Sequence, residues 1–446
     1  MGTAAPELVV RAGDPSATPP QRIEGRPLEQ WRSEARQALA LPDAPVMATG
    51  HQSECWHAGI LSKNLWVQAL CERERATAVH VVVDQDGFDG MVVEWPFQRP
   101  DGWWGVRGHR FANPGGEMAA MRCPAFRPRA VAPGEGVAEP VREALTAIGG
   151  ALQRHVTERD AAMQGARAMM DLAAPWMPVP QLVRASDLMR TALARHLLER
   201  MVADPVRCAK AFNSALSVAP RSARALRMQE GHVELPVWLL GAQGDRVRAT
   251  GPEVARAVAQ GAPILPRAFL MSAIARTALA DRFVHGLGGG VYEQATDRWF
   301  REWLGWVPPE HDVVSANARM SLPAPDAHAV PAPAVPWRRA WCDPDLLEAG
   351  GSGPSASRRQ ALELIAALPR GDARRRAAFR ELLADRDAAR LRRADELDAL
   401  QRREDAAAAQ RLSAELAHRR TWCFALLEPA QLAALRDAAR RRAATA

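Results

Sequence analysis

The spacing of apolar residues changes along the chain, and each change marks an element. Residues 44–49, Ala-Pro-Val-Met-Ala-Thr, form a short apolar run that stops at Gly50, the pattern of a buried strand. After a polar loop, residues 60–73 carry Leu61, Leu65, Trp66, Ala69 and Leu70 at helical spacing. Residues 78–84, Ala-Val-His-Val-Val-Val-Asp, are a nearly continuous β-branched run, as in a parallel strand buried on both faces. Strand, helix and strand in this order predict a right-handed crossover. The run Asp84-Gln85-Asp86-Gly87 then falls at the carboxyl end of the second strand, where open parallel sheets bind ligands.

The remaining pattern extends this start. Residues 1–40 are a polar lead-in that closes with a short helix over 28–39. Residues 92–130, with Trp95, Trp103, Trp104 and turn signals, predict irregular or antiparallel strand structure. Helical spacing returns over 139–213, interrupted by the Pro-rich residues 174–180. Two strands are expected at 234–240 and 246–250, then a helix-like segment over 264–282. A glycine-rich loop follows at 284–293, and a helix runs from it through Trp303. Pro and Ala crowd 321–336, which reads as a crossing loop. From 357 to about 420 the chain is a charged helical tract with an imperfect stripe of Leu383, Leu391, Leu397, Leu400, Leu412 and Leu416. Broken near its start by Pro369-Arg-Gly-Asp, the tract predicts an antiparallel helical hairpin or coiled coil. Residues 422–429 turn core-like again, so the chain is expected to fold back. The domains expected are a lead-in (1–40), an α/β core (41–340) with insertions over about 92–230, a helical arm (356–420) and a returning segment (421–446).

Composition narrows the class. A chain of 446 residues exceeds one simple core, and 48% hydrophobic with 24% charged residues is the ordinary globular range. No run nears the ~20 apolar residues of a membrane helix, and the first residues do not read as a secretory leader. The expectation is a cytoplasmic protein. Six scattered cysteines without a Cys-x-x-Cys pair argue for reduced thiols rather than a disulfide framework or structural zinc. Residues 356–446 hold 20 Arg against 13 acidic residues, so their surplus of seven equals the formal charge of the whole chain. Interspersed acids on a helical tract point to a solvated helix surface, and nucleic-acid binding is not expected. Only two of the 58 basic residues are lysines, Lys63 and Lys210. A compact ammonium kept at Lys63, among so many arginines, marks a place where the planar guanidinium is no substitute.

The densest polar cluster is the first loop. His51, Gln52 and His57 lie between the first strand and the first turns of the helix carrying Lys63 and Asn64, with Thr49 and Gly50 just before. Gly59 permits close backbone approach, and free N–H groups at a helix start favour an anion. Histidine and lysine there suit neutralisation of phosphate charge during phosphoryl or nucleotidyl transfer. Asp84 and Asp86 could hold Mg²⁺, a ribose or a substrate amine, or simply form a turn. Gly288-Gly289-Gly290, flanked by His285 and Tyr292, matches neither a dinucleotide fingerprint nor a P-loop. Three glycines still imply close approach, to a ligand or to a neighbouring helix. No serine elbow, zincin motif or kinase signature is present, and no metal-ligand set stands out.

Thr49-Gly-His-Gln52 before His57-Ala-Gly, the strand ending in Asp84-x-Asp86, Leu265-Pro-Arg-Ala-Phe-Leu, and Gly288-Gly-Gly-Val-Tyr292 together resemble the cysteine-adding ligase family BshC of bacillithiol biosynthesis. So does a late helical coiled coil followed by a core-returning end. Thr-Gly-His-Gln stands where that family has Thr-Gly-Gln-Gln, and the glycine segment lacks its Gly-Pro-Gly-Glu. The resemblance implies a Rossmann-like, nucleotidyltransferase-like core, binding of ATP or ADP with Mg²⁺, and a coiled coil that forms a homodimer. It also implies joining of cysteine to a sugar-derived acceptor. On this reading His51, His57 and Lys63 contact phosphates and Asp84 and Asp86 hold metal or substrate. Arg267 and the glycine segment would close the pocket. The alternative is a non-catalytic dimerising scaffold.

Overall fold

A computed structural model describes residues 5–13, 20–323, 331–347 and 356–445. Parts of the expected lead-in (1–4, 14–19), of the Pro- and Ala-rich stretch (324–330) and of the run before the helical arm (348–355) lie outside the described residues. The chain divides into two units, one of residues 1–95, 107–321 and 419–446, the other of 96–106 and 322–418.

The first unit is built on a six-stranded, mostly parallel sheet. Its strands are β1 (Glu7–Arg11), β2 (Val46–His51), β3 (Thr77–Val82), β4 (Gln181–Arg184), β8 (Arg282–His285) and β9 (His311–Asn317); β5 (His232–Leu240), β6 (Arg246–Thr250) and β7 (Ile264–Pro266) form a second, antiparallel sheet. The spatial order is β1-β9-β8-β2-β3-β4, with β1 alone antiparallel. Counted in chain order, the five parallel strands lie 3-2-1-4-5. The direction of winding therefore reverses between β2 and β8, which pair directly.

Sequence explains the central layer. β2 and β3 are apolar runs buried on both faces, and the helix between them, α2 (Ala58–Glu74), is buried at every position from Ala58 to Cys71. A helix that is apolar nearly all round must be covered on both sides. The sheet covers one side of it, and a helix from the returning end of the chain, Pro429–Ala443, lies along it. The opposite sheet face presents Val46, Ala48, Val79 and Val81 to a core that includes α1 (Leu28–Ala38), α3 (Ala268–Ile274) and α4 (Leu287–Leu304).

Several expectations need correction. The lead-in is not wholly polar coil, since β1 caps the sheet edge against β9. The segment 264–282 is not one helix: β7 pairs with β5, α3 follows, and a π-helical turn over Ala275–Leu279 ends it before β8. The glycines 288–290 form the first turn of α4 rather than a loop.

In the second unit the charged tract comprises three helices, Ala356–Ala367, α5 (Ala373–Arg392) and α6 (Ala394–His418). The first packs along α5 around the turn at 368–372, where Arg375 donates to the carbonyls of Ile365 and Leu368. α6 follows α5 after one residue, and its Leu397 and Leu400 pack on Ala340 with Trp337 and Leu347. The leucine stripe is thus not one seam, because Leu391 is 80% exposed. Backbone N–H of Trp104, in a β-hairpin, donates to Ser413 Oγ of α6 at 2.8 Å.

Candidate functional site

The two crossover helices that leave β2 and β8 start close to the strand ends, α2 at Ala58 and α4 at Leu287. Their first turns open onto one cavity of about 480 Å³ at the carboxyl edge of the sheet, where the winding reverses. Both dipoles favour an anion, but only the α4 start offers backbone N–H groups without partners, since at α2 the His57 ring and carbonyl take those of Gly59, Ile60 and Leu61. Lys63 and Arg420 are the cations of the lining, and Asp86 is its single carboxylate among the described residues.

His57 is the N-cap of α2. Its extended backbone (φ −85°, ψ 169°) places Nδ1 to accept the Gly59 N–H at 3.0 Å, so the neutral ring carries its proton on Nε2. Burial, then the neighbouring His51, lowers its pKa to about 4. His51 Nε2 meets Glu54 Oε1 at 2.7 Å, yet burial and nearby Lys63 keep its pKa below the ordinary value. Lys63 is 4% exposed and donates from Nζ to the Gly50 carbonyl at 2.6 Å. Burial brings its pKa down to about 8, which leaves it charged at neutral pH. The loop thus presents a fixed ammonium between neutral imidazoles.

Glycine is required here for proximity. A Cβ on Gly50 would lie 2.7 Å from the Val81 carbonyl oxygen, and one on Gly59 2.7 Å from Ser315 Oγ. A Cβ on Gly289 would meet His285 Nδ1 at 2.5 Å, and one on Gly290 Val313 Cγ2 at the same distance, whereas Gly288 faces open space. Two of the three glycines therefore seat α4 against its own strands. Behind that helix, Ser272, His285, Glu293 and Arg276 form a buried network in which Glu293 accepts from all three partners. Burial alone would raise Glu293, but His285 and Arg276 outweigh it and hold its pKa at about 2.

The cavity gathers Gly50, His51, Gln52, His57, Gly59, Lys63, Asp86, His285, Gly288, Gly289 and Tyr292. The other expected residues lie elsewhere. Thr49 Oγ1 donates to the Val284 carbonyl at 2.8 Å, tying β2 to β8. Asn64 Oδ1 meets His80 Nδ1 at 2.9 Å in the buried interior. Asp84 accepts from the Ser186 N–H and Oγ at 2.9 and 2.5 Å, and burial raises its pKa to about 6. Arg267 pairs with Glu234 and lies 3.9 Å over Trp238, outside the cavity lining. Asp86 pairs with Arg246 at 2.9 Å and accepts from Gln52 Nε2 at 3.1 Å, so the two aspartates do not act as a pair. Among the described residues no group of three or more His, Cys, Asp or Glu could hold a metal ion.

Three lining residues with polar side chains escape the sequence pattern: Gln85, Ser315 and Arg420. Arg420 ends the helical tract, and nothing local signals its return to this edge, where it donates to Asn317 Oδ1 at 3.4 Å. The chain matches no protein-family model and no curated protein sequence.

Proposed function

We propose that the cavity binds the phosphates of a nucleotide and that the chain is an ATP-dependent, ligase-like enzyme. The observation that carries this reading is the convergence of two helix starts and the buried Lys63 on one cavity at the reversal of a parallel sheet. Such crevices are where doubly wound sheets take ligands, and the 3-2-1-4-5 order supports a Rossmann-like core. Lys63 and the N–H groups of the α4 start would neutralise phosphate oxygens, the α2 dipole would add to their field, and His57 Nε2–H would donate to one of them. His51, held by Glu54 and kept neutral by burial, is placed to take a proton from an incoming nucleophile. Mg²⁺ would arrive with the nucleotide, and Asp86 is the lining carboxylate available to face it. Joining of cysteine to a sugar-derived acceptor rests on the four motif segments alone.

Calorimetric titration of ATP and ADP with Mg²⁺ tests the reading. Binding by the native protein that weakens at least about ten-fold in Lys63→Ala places the nucleotide at the first loop. No binding to either protein sinks the ligase mechanism. A scaffold that dimerises through its helical arm would then lead, a reading favoured by Phe379 and Leu391, which stand 50% and 80% exposed on α5. Sedimentation of a chain lacking 369–420 reads that arm directly, since a scaffold dimer needs it.

A further inference from the structure

His285 is the third imidazole of the cavity lining, beside His51 and His57, and the fold uses only one of its ring nitrogens. Nε2 meets the Glu293 carboxylate at 3.1 Å and Ser272 Oγ at 3.2 Å. Glu293 is ionised and can only accept, so the neutral ring carries its proton on Nε2 and a lone pair on Nδ1. Nδ1 has no hydrogen-bond partner among the described residues, yet it is not sealed in as Nδ1 of His311 is. The residue is 6% exposed and reaches the surface at the cavity it lines.

Nδ1 faces the first turn of α4. Gly289, in that turn, has no Cβ and so leaves clear a point 2.5 Å from Nδ1. The N-cap, Gly286, has no side chain to offer, and the N–H groups of residues 287–289 have no partners within the helix. Lys63 approaches the same turn, its Cδ 3.8 Å from where a Cβ on Gly286 would stand. An anion on these N–H groups therefore lies against Nδ1 as well. A bare lone pair repels it, whereas a protonated Nδ1 binds it.

The groups around the ring leave its charge to be decided at that open side. Burial lowers the pKa of His285 more than Glu293 raises it, and Arg276 from the π-helical turn and Lys63 from α2 also oppose the charged form. Tyr292 of α4, His311 of β9 and Ser272 of α3 also face the ring and are uncharged at neutral pH. A phosphate supplies a second negative charge, opposite Glu293. Resting on the phosphate reading above, we propose that His285 couples phosphate binding to proton uptake. Nδ1 takes a proton from solvent as a phosphate group settles on the α4 start, and the imidazolium spans that phosphate and Glu293.

The test is calorimetric titration of the intact protein with Mg²⁺-bound ATP at pH 7.0, in two buffers of different ionisation enthalpy. The difference in heat counts the protons taken up per nucleotide. At that pH the ligand is fully ionised and Lys63, with a pKa of about 8, is already mostly charged, so neither supplies the signal. The native protein is expected to take up between about half and one proton. His285→Gln, whose amide can still donate to Glu293, takes up close to none. His51→Gln and His57→Asn, which remove the other two lining imidazoles, keep the uptake whatever they do to affinity. These two variants decide the matter even where His285→Gln fails to fold. Binding without uptake, uptake that persists in His285→Gln, or uptake lost in His51→Gln or His57→Asn overturns this inference and leaves the phosphate reading standing. No binding by the native protein overturns both.

Discussion

His57 carries a pH dependence whose sign follows from its position. Its folded pKa is about 4 against an ordinary 6.5, so both folded and unfolded chains are neutral there above pH 6.5. Between 6.5 and 4 the unfolded chain binds the proton first, and stability falls as pH falls. His311, lowered to about 3 by burial, acts in the same direction. Urea unfolding at pH 7.5 and 5.0 should show a loss that is smaller by about 1–2 kcal/mol in His57→Asn, which keeps a capping acceptor but does not titrate. An equal loss in both proteins would remove His57 from the account. Residues of this loop were legible because histidine and a rare lysine stand close together in sequence. Arg267 and Asp84 were not, because the partners that occupy them, Glu234 and Ser186, are 33 and 102 positions away. Gln85, set between two acids, gives no signal of its own; only its burial at the cavity distinguishes it.

At the level of elements, the strand–helix–strand unit β2-α2-β3 was readable because each piece is apolar at its own period. β9 was not. Its Asp312 is 1% exposed and satisfied by Trp66 Nε1 and Arg282, so a strand interior looks polar in the sequence. β4 has four residues, too few for a period to register. Helix seating yields two predictions. Gly50→Ala drives a methyl against the backbone of β3 and should cost about 1–3 kcal/mol in chemical denaturation. Glu293→Gln leaves Arg276, fully buried, with the half-buried Asp297 as its one remaining carboxylate and should cost about 2–4 kcal/mol. Adding Arg276→Met to it should recover part of that loss, because a buried charge left with a single partner is then gone. A double variant no more stable than the single one would count against this ion pair as the cause.

Across the whole molecule, the helical tract is an excursion from the first unit. Arg420 and Gln431 bond to Asn317 and to the Arg319 carbonyl, so the chain comes back beside the point from which it leaves. Chains with neighbouring exit and entry points tolerate insertion and removal at those points. Replacing residues 322–418 by a short Gly/Ser linker should leave a single unfolding transition within a few degrees of the parent and, on the proposed phosphate reading, the same response to ATP in calorimetry. Loss of cooperative unfolding would show that the first unit depends on the tract. The apolar run after the tract announced this return, but its destination could not be read, since nothing in Trp422-Cys-Phe names α2 as its neighbour.

That return has a consequence in time. The Phe424 N–H reaches the Trp56 carbonyl at 2.7 Å, Cys423 bridges to His57, and Arg420 walls the cavity. The first loop leaves the ribosome more than 360 codons ahead of these residues, a wait of roughly 20–70 s at bacterial and eukaryotic elongation rates. Until translation has passed Phe424 the cavity lacks a wall, so a stalled or prematurely terminated chain carries it open.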